Sequence, residues 1–313
     1  MTSTINLPRT DVPQSRGRLT LCVAIPSSNR RPILEETLPE LARQVRLPDE
    51  VVLCTPSRQD IPAQTLRSLP CRTRQLLSER GLCRQRNHIL DHLDGADVVL
   101  FLDDDFLMGR TFLRELERIF LDEPDIVMCT GTVHADGATS AGLSVAEGRT
   151  IVAENESDWE RRGQALHPVY SGYGCNMAFR VSAIARSGAR FDERLPLYGW
   201  LEDVDFSRQV AHAGRSVRAD GLNGVHLGTK TGRTSGVKLG YSQIANPVYL
   251  MRKRTMGARH AGIQMARNIV ANTARVLRPE PWVDRRGRLR GNLRAMADLV
   301  RGKLSPEKIM AMD

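Results

Sequence analysis

Val98-Val99-Leu100-Phe101-Leu102-Asp103-Asp104-Asp105 is the stretch on which the reading of this chain turns. Five apolar residues in a row, β-branched and aromatic among them, predict a strand buried on both faces. Three adjacent carboxylates follow at its C-terminal end. Such groups repel one another, and a nearby core worsens the repulsion by lowering the local dielectric. Either the triad is an acidic turn in water, or something cationic compensates it. A divalent ion carrying a phosphate ligand suits the second case, because Mg²⁺ is typically held by one or two carboxylates plus substrate phosphates.

Working outward, residues 19–25 form an apolar run that ends at Pro26 and predicts a first buried strand. Ser27-Ser28-Asn29-Arg30-Arg31 is then a loop, and Pro32 suits the first turn of a helix with the stripe Leu34, Leu38, Leu41 and Val45. Further strands are expected at 51–54, 73–77, 97–102 and 126–133, and helices at 81–93, 111–121 and 202–213. Strand–helix alternation with short connections predicts an α/β fold, a mostly parallel central sheet flanked by helices. Residues 134–168 show no clear period and read as an irregular excursion, a lid or an edge ribbon. Residues 221–240 contain six glycines and read as flexible.

With 313 residues, 41% of them hydrophobic and 26% charged, the chain suits a soluble globular protein of one large domain plus an appendage. Its six cysteines form no C-x-x-C pair and read as reduced packing residues in a cytoplasmic protein. No apolar run approaches the roughly 20 residues of a membrane span. Residues 1–18 are polar, lack the apolar segment of a signal peptide and read as a disordered lead-in. The net charge of +9 is uneven: residues 251–313 hold fifteen Lys/Arg and five Asp/Glu, which leaves the rest near neutral. The division expected is a catalytic domain over 19–250 and a basic helical C-terminal extension over 251–313.

A basic extension points to an anionic partner: a membrane surface, a nucleic acid or a polyanionic acceptor. Its sole aromatic residue is Trp282, so stacking platforms are scarce and no nucleic acid is expected. A helix drawn over 257–278 places Ile263, Ala266, Val270, Ala274 and Leu277 on one face, flanked by Arg267 and Arg278. That face either lies peripherally on the inner, anionic side of a membrane or packs on the catalytic domain. Arg285-Arg286-Gly287-Arg288-Leu289-Arg290 adds a dense basic run.

Ligands of an open α/β sheet bind outside the carboxyl ends of its strands. Residues 26–31, 103–106 and the stretch leading to Glu202 fall at such ends. Gly172-Tyr173-Gly174 is not completed as G-x-G-x-x-G, because residue 177 is Met, and Gly232 is followed by Arg rather than by the Lys of a phosphate-binding loop. A dinucleotide-binding dehydrogenase and a P-loop NTPase are both disfavoured. Glu202-Asp203 opens a helix, where acids either complement the helix dipole or take a proton from a hydroxyl. His226 either completes a metal shell beside a carboxylate or is structural. Lys230 and Arg233 either close over a diphosphate or belong to a solvated loop. Arg86 either neutralises the triad, reaches a phosphate or lies on the surface.

Taken in order, Ala24-Ile25-Pro26-Ser27-Ser28-Asn29-Arg30, Arg86-Asn87, Phe101-Leu102-Asp103-Asp104-Asp105, Asn176-Met177-Ala178-Phe179-Arg180, Phe191-Asp192-Glu193 and Glu202-Asp203-Val204-Asp205 resemble the family 2 glycosyltransferases of the GT-A fold. The resemblance covers residues 19–230. It implies inverting transfer of a sugar from a nucleotide-diphosphate sugar to a hydroxyl, assisted by Mn²⁺ or Mg²⁺, in polysaccharide or glycolipid synthesis. Asp203 would be the general base, with Glu202 positioning the acceptor. Pro26, Asn29, Arg86, Asp103, Asp104, Lys230 and Arg233 would lie along the nucleotide sugar, and Asp105, with Asp103 and His226, would hold the metal. Gly172, Tyr173, Gly174, Asn176 and Trp200 would face a glycan or lipid-linked acceptor.

One departure concerns the nucleotide base. The family commonly carries an acid just after the second strand, but here that segment is Val51-Val52-Leu53-Cys54-Thr55-Pro56-Ser57, and the nearest acid is Asp60. Asp60 is the substitute, and a UDP-sugar is the favoured donor. The competing classes are a sugar nucleotidyltransferase and a non-enzymatic anion- or nucleic-acid-binding protein that uses the basic tail.

Overall fold

The computed structural model describes residues 17–161, 165–230 and 235–312. The expected lead-in lies, up to residue 16, outside the described residues. The strands are β1 (Leu21–Pro26), β2 (Glu50–Thr55), β3 (Arg72–Leu77), β4 (Val98–Leu102), β5 (Phe106–Met108), β6 (Ile126–Asp136), β7 (Leu166–Pro168), β8 (Asn176–Arg180) and β9 (Arg215–His226). The helices are α1 (Arg31–Thr37), α2 (Ala63–Arg67), α3 (Leu82–Leu90), α4 (Phe112–Asp122), α5 (Val145–Arg161), α6 (Val181–Ser187), α7 (Glu202–Val210), α8 (Gly236–Lys253), α9 (Ala258–Ala274) and α10 (Arg285–Val300).

One sheet runs β3-β2-β1-β4-β8-β6-β9-β5, with β7 also on β9. The first four strands are parallel. β8 is antiparallel between β4 and β6, and β9 runs parallel to β6. Alternation along β1 and β4 explains why these strands read as continuous apolar runs. Val23, Ile25, Leu100 and Leu102 enter one core with Leu34, Leu38, Leu41 and α4, while Cys22, Ala24, Val99 and Phe101 enter another with Phe179, Phe191 and Phe206. The six cysteines are all free thiols, five of them buried.

This topology assembles the site. β1, β2, β4, β6 and β9 end at one edge, and the antiparallel β8 begins there. Register places Leu102 opposite Asn176, and His226 opposite both Asp136 and Phe106. Residues far apart in the chain therefore meet beside the acidic triad.

Four expectations change. The stripe expected to reach Val45 ends earlier: Pro39 turns the segment from α1 into a 3₁₀ helix over Leu38–Arg43, which leaves Val45 52% exposed. The excursion at 134–168 holds the end of β6, the 17-residue α5 and β7. Within 221–240, residues 221–226 end β9 and 236–240 begin α8, while 231–234 lie outside the described residues. A Cβ on Gly240 of α8 would lie 2.1 Å from the Arg288 carbonyl oxygen, and one on Gly291 of α10 2.1 Å from that of Val237, so glycine at these two positions lets α8 and α10 cross backbone to backbone. Finally, residue 250 falls within α8, and Leu250, Met256 and Ala261 join the core beneath Phe206.

Candidate active site

Asp103, Asp104 and Asp105 leave β4 with three different tasks. Asp104 is 4% exposed and turns inward, to the Arg30 guanidinium at 2.9 Å and the Ser27 hydroxyl. It does not face the cleft, which corrects its expected place along the nucleotide. Burial pushes its carboxyl up to about 7, with Arg30 pulling back. Asp105 accepts from the Arg30 guanidinium and from the Thr229 backbone N–H, both at 2.7 Å. Burial alone would raise Asp105, but the His226 hydrogen bond and the Arg30 charge outweigh it and hold the carboxyl well below its usual range.

His226 ends β9 and turns its Nε2 toward the acids, 3.4 Å from Asp105 Oδ1 and 3.8 Å from Asp103 Oδ2. Its Nδ1–H donates to Asp136 Oδ1 at 2.9 Å. Burial would lower the imidazole, yet the hydrogen bonds of Asp105 and Asp136 push it up to about 10. One donor atom each from Asp103, Asp105 and His226 lie within 4.8 Å of one another. Two carboxylates and an imidazole suit Mn²⁺ or Mg²⁺, and Asp136 is the outer carboxylate that fixes the ring of such a ligand. The residues fit a divalent ion. Asp136 was not foreseen, because nothing in the sequence shows that β6 would end opposite β9.

Across the cleft, Glu202 and Asp203 open α7 after Leu201, whose φ is +74°. Asp203 accepts from the Gly174 N–H at 3.2 Å and from the Val204 N–H at 2.8 Å. Burial pushes Asp203 up, against these backbone hydrogen bonds and the charge of Arg86. Glu202 is likewise pushed up by burial, and Asp203 beside it adds to the rise. A Cβ on Gly174 would sit 3.1 Å from Glu202 Oε1 and 3.6 Å from Asp203 Oδ2, so glycine lets this backbone approach both acids.

Arg86 ties the two halves together. Its side chain is 0% exposed, pairs with Glu202, donates to the Gly174 carbonyl at 2.8 Å and lies 3.4 Å from Asp103 Oδ1. Its guanidinium stacks over Phe101 and Phe191 at 5.6 and 5.3 Å. The expectation that it reaches the nucleotide is corrected, since it is buried beneath the acids it neutralises. Asn87 next to it clamps Phe191 by hydrogen bonds to its backbone N–H and carbonyl, at 2.9 and 2.8 Å.

Other expected residues divide. Tyr173 stands at the cleft, with its hydroxyl on Asp136 Oδ2 at 2.7 Å and its ring edge-on to His226 at 6.2 Å. Gly172 underlies it, its N–H donating to the Ser207 hydroxyl at 3.0 Å. Asn176 is 0% exposed and binds the Gly131 N–H at 2.6 Å, so it joins β8 to β6 and is not an acceptor contact. Trp200 is partly buried, and its carbonyl accepts from Asn246 at 2.7 Å. Pro26 is buried at the end of β1, and Asn29 is exposed with a φ of +56°. Lys230 folds onto the Gly137 carbonyl at 2.8 Å, and Arg233 lies outside the described residues. Asp60 is 7% exposed, and its Oδ2 and the Ser28 hydroxyl are buried without a hydrogen-bond partner among the described residues. Arg30, Gln85 and Asp136 were missed. Gln85 donates to the Ser27 and Cys54 carbonyls at 2.7 and 2.8 Å and so holds the two loops that follow β1 and β2.

Among the described residues no helix is long and apolar enough to cross a membrane. A search of curated proteins returned no match. Among solved structures the chain is similar in fold to S. aureus TarS, at 16% identity and a TM-score of 0.53 over 93% of this chain and 55% of that one. It is also similar to the mannosyltransferase PcManGT of Pyrobaculum calidifontis in complex with GDP-Man and Mn²⁺, at 18% identity and 0.51 over 97% and 82%. GalNAc-T7 with UDP, GalNAc and Mn²⁺ matches at 11% identity and 0.52 over 95% and 57%. The chain spans little more than half the length of TarS and of GalNAc-T7. Residues 22–187, just over half of the chain, match the family described as glycosyl transferase family 2. With a GT-A fold and a family match over more than half of its length, the chain belongs to glycosyl transferase family 2.

Proposed function

We propose that this protein transfers a sugar, with inversion, from a nucleotide-diphosphate sugar to the hydroxyl of a glycan or lipid-linked acceptor in polysaccharide or glycolipid synthesis. The observation that supports the reading is the pairing of two acid groups through Arg86, which lies 3.4 Å from Asp103 and pairs with Glu202: Asp103, Asp105 and His226 form one group, Glu202 and Asp203 the other. Asp103, Asp105 and His226 would hold a divalent ion, which would supply charge stabilisation to the leaving diphosphate. Arg30 and Lys230, at the same strand ends, add positive charge beside it.

Asp203 acts on the acceptor. Its carboxylate takes the hydroxyl proton as the oxygen forms a bond to the anomeric carbon, and the bond from that carbon to the diphosphate oxygen breaks with its electron pair leaving on the nucleotide. Attack from the face opposite the leaving group inverts the configuration. A carboxyl pushed up by burial is a stronger base than an exposed one, which suits proton abstraction from a hydroxyl. Glu202 positions the acceptor, and Gly172, Tyr173 and Gly174 form the floor between the two substrates.

The unpartnered Ser28 hydroxyl and Asp60 carboxylate oxygen, beyond β1 and β2, support a nucleotide lying there, with Asp60 reading the base. A UDP-sugar is the favoured donor, supported by the UDP-GlcNAc complex of TarS and the UDP complex of GalNAc-T7. GDP-sugars are the competitor, as in PcManGT. Calorimetric titration of UDP, GDP, ADP, CDP and dTDP, with and without Mn²⁺, tests this. Metal-dependent binding of UDP that Asp105→Asn abolishes is expected; binding unaffected by metal or by the substitution would overturn the reading.

A further inference from the structure

The amphipathic stripe of α9 faces away from the body. Ile263 and Val270 are 43% and 66% exposed, and Ala266 and Ala274 beside them are exposed too; the helix expected to reach 278 ends at Ala274, and Leu277 just past it is 84% exposed. The opposite side of the helix, with Ala261 and Asn272, is the buried one. Packing on the catalytic domain therefore does not account for the stripe. Just past it, Trp282 is 40% exposed.

Charge separates the candidate occupants. Residues 258–279 contain no Asp or Glu, and Arg259, Arg267 and Arg278 lie along this segment. Among the described residues none of these three pairs with a carboxylate. The acids that follow are committed: Glu280 to Arg275 and Arg285, Asp284 to the Gly287 N–H at 2.7 Å, and Asp298 to Lys308 and Tyr241 at 2.7 and 2.8 Å. Within the run 285–290, Arg285 is likewise committed, to Glu280 and Asn272, and Arg286 donates to the Val276 carbonyl at 3.4 Å.

A nucleic acid would answer the arginines but offers little to Val270 and Leu277. A second copy meeting this face with its own would set arginine against arginine. An anionic lipid surface answers both, with hydrocarbon for the apolar side chains, phosphates for the arginines and an interfacial level for Trp282.

We propose that the exposed face of α9, continued to Trp282, is a docking surface for an anionic lipid bilayer. Binding there needs neither nucleotide nor metal, so it stands or falls separately from the transfer reading. On that reading, it brings the cleft to an acceptor held in the membrane.

The full-length chain is sedimented with vesicles of equal phosphatidylglycerol and phosphatidylcholine, and with vesicles of phosphatidylcholine alone, at low and high salt. Partitioning onto the anionic vesicles is expected at low salt, weakened roughly tenfold or more by high salt or by omission of the anionic lipid. Val270→Glu/Leu277→Glu should lose at least about tenfold in partitioning. Arg267→Gln/Arg278→Gln should lose about fivefold per arginine, on anionic vesicles only. Both pairs are exposed, and an unchanged thermal unfolding curve confirms that each variant is folded. Wild type that ignores anionic vesicles overturns the proposal, as does a glutamate variant that binds as wild type does. So does a dimer in vesicle-free solution that the glutamate variant dissolves, which would make the stripe a self-association face.

Discussion

Asp105 on one side of the site and Glu202 on the other are alike in chemistry and in burial, yet they titrate in opposite directions, while burial pushes Asp103, next to Asp105, up as well. Asp105 is 2% exposed and Glu202 6%, so burial does not separate them. Their neighbours do. Asp105 faces the Arg30 guanidinium, the His226 imidazole and a backbone N–H, and is held ionised well below the usual range. Glu202 and Asp203 share one cation, Arg86, and crowd each other, so burial prevails and both are pushed up. An acid between two cationic groups keeps its charge and suits a metal ion; buried acids that share one cation hold a proton more tightly and suit proton transfer.

The sharpest way to break this contrast is Asp105→Asn, which removes a charge from the donor set. Metal-dependent nucleotide binding should vanish and turnover fall by several orders of magnitude, as read by calorimetry and a sugar-transfer assay. Asp203→Asn comes next: kcat should drop about 10²–10⁴-fold while the metal-dependent nucleotide affinity stays near wild type. Loss of both together would mean that the two groups are one site.

Arg86→Met tests the shared cation. It leaves the buried Glu202 without its partner, so stability should fall by about 3–5 kcal/mol in denaturant titration. It also bears on pH. On the proposed mechanism activity needs Asp203 ionised, and its raised pKa is expected to place the acid limb of kcat/KM above the ordinary carboxylate range. Without Arg86 that limb should move to still higher pH; a limb that stays in place would exclude Asp203 as the group responsible. The smallest effect belongs to Asp136→Asn. Freed from its partner, His226 should bind the ion roughly 10–100-fold more weakly, measured by Mn²⁺ titration.

The same contrast marks what could be read from residues in order. β1, β2 and β4 are apolar throughout because both faces are covered, and an acid triad after such a run is visible without coordinates. α5 escaped, since it buries only Val145, Gly148 and Trp159 and so shows a weak period. A signal was nevertheless present in Ser144-x-x-Glu147, a reciprocal cap in which the Ser144 N–H donates to Glu147 at 2.8 Å and the Glu147 N–H to the Ser144 hydroxyl at 3.2 Å. Gly236 and Gly240 read as flexible because glycine is permissive in isolation; in the structure Gly236 lies against Asp284 and Gly240 against the Arg288 backbone, and both are tight contacts. Arg86 and Asn176 read as ligand contacts because polar residues in a motif invite that reading, whereas their burial shows them bracing the acids and the sheet.

Local sequence by itself determined the strand–helix alternation, the acids at the strand end and helix start, and the amphipathic stripe of the tail, because period and adjacency are properties of neighbours in the chain. Only the tertiary structure decided that Asp136 fixes His226, that Arg86 neutralises Glu202 beneath the cleft, and that the α9 stripe faces outward. Each of those depends on register between strands or on which side of a helix is covered, and both are set by packing between segments that the chain keeps far apart.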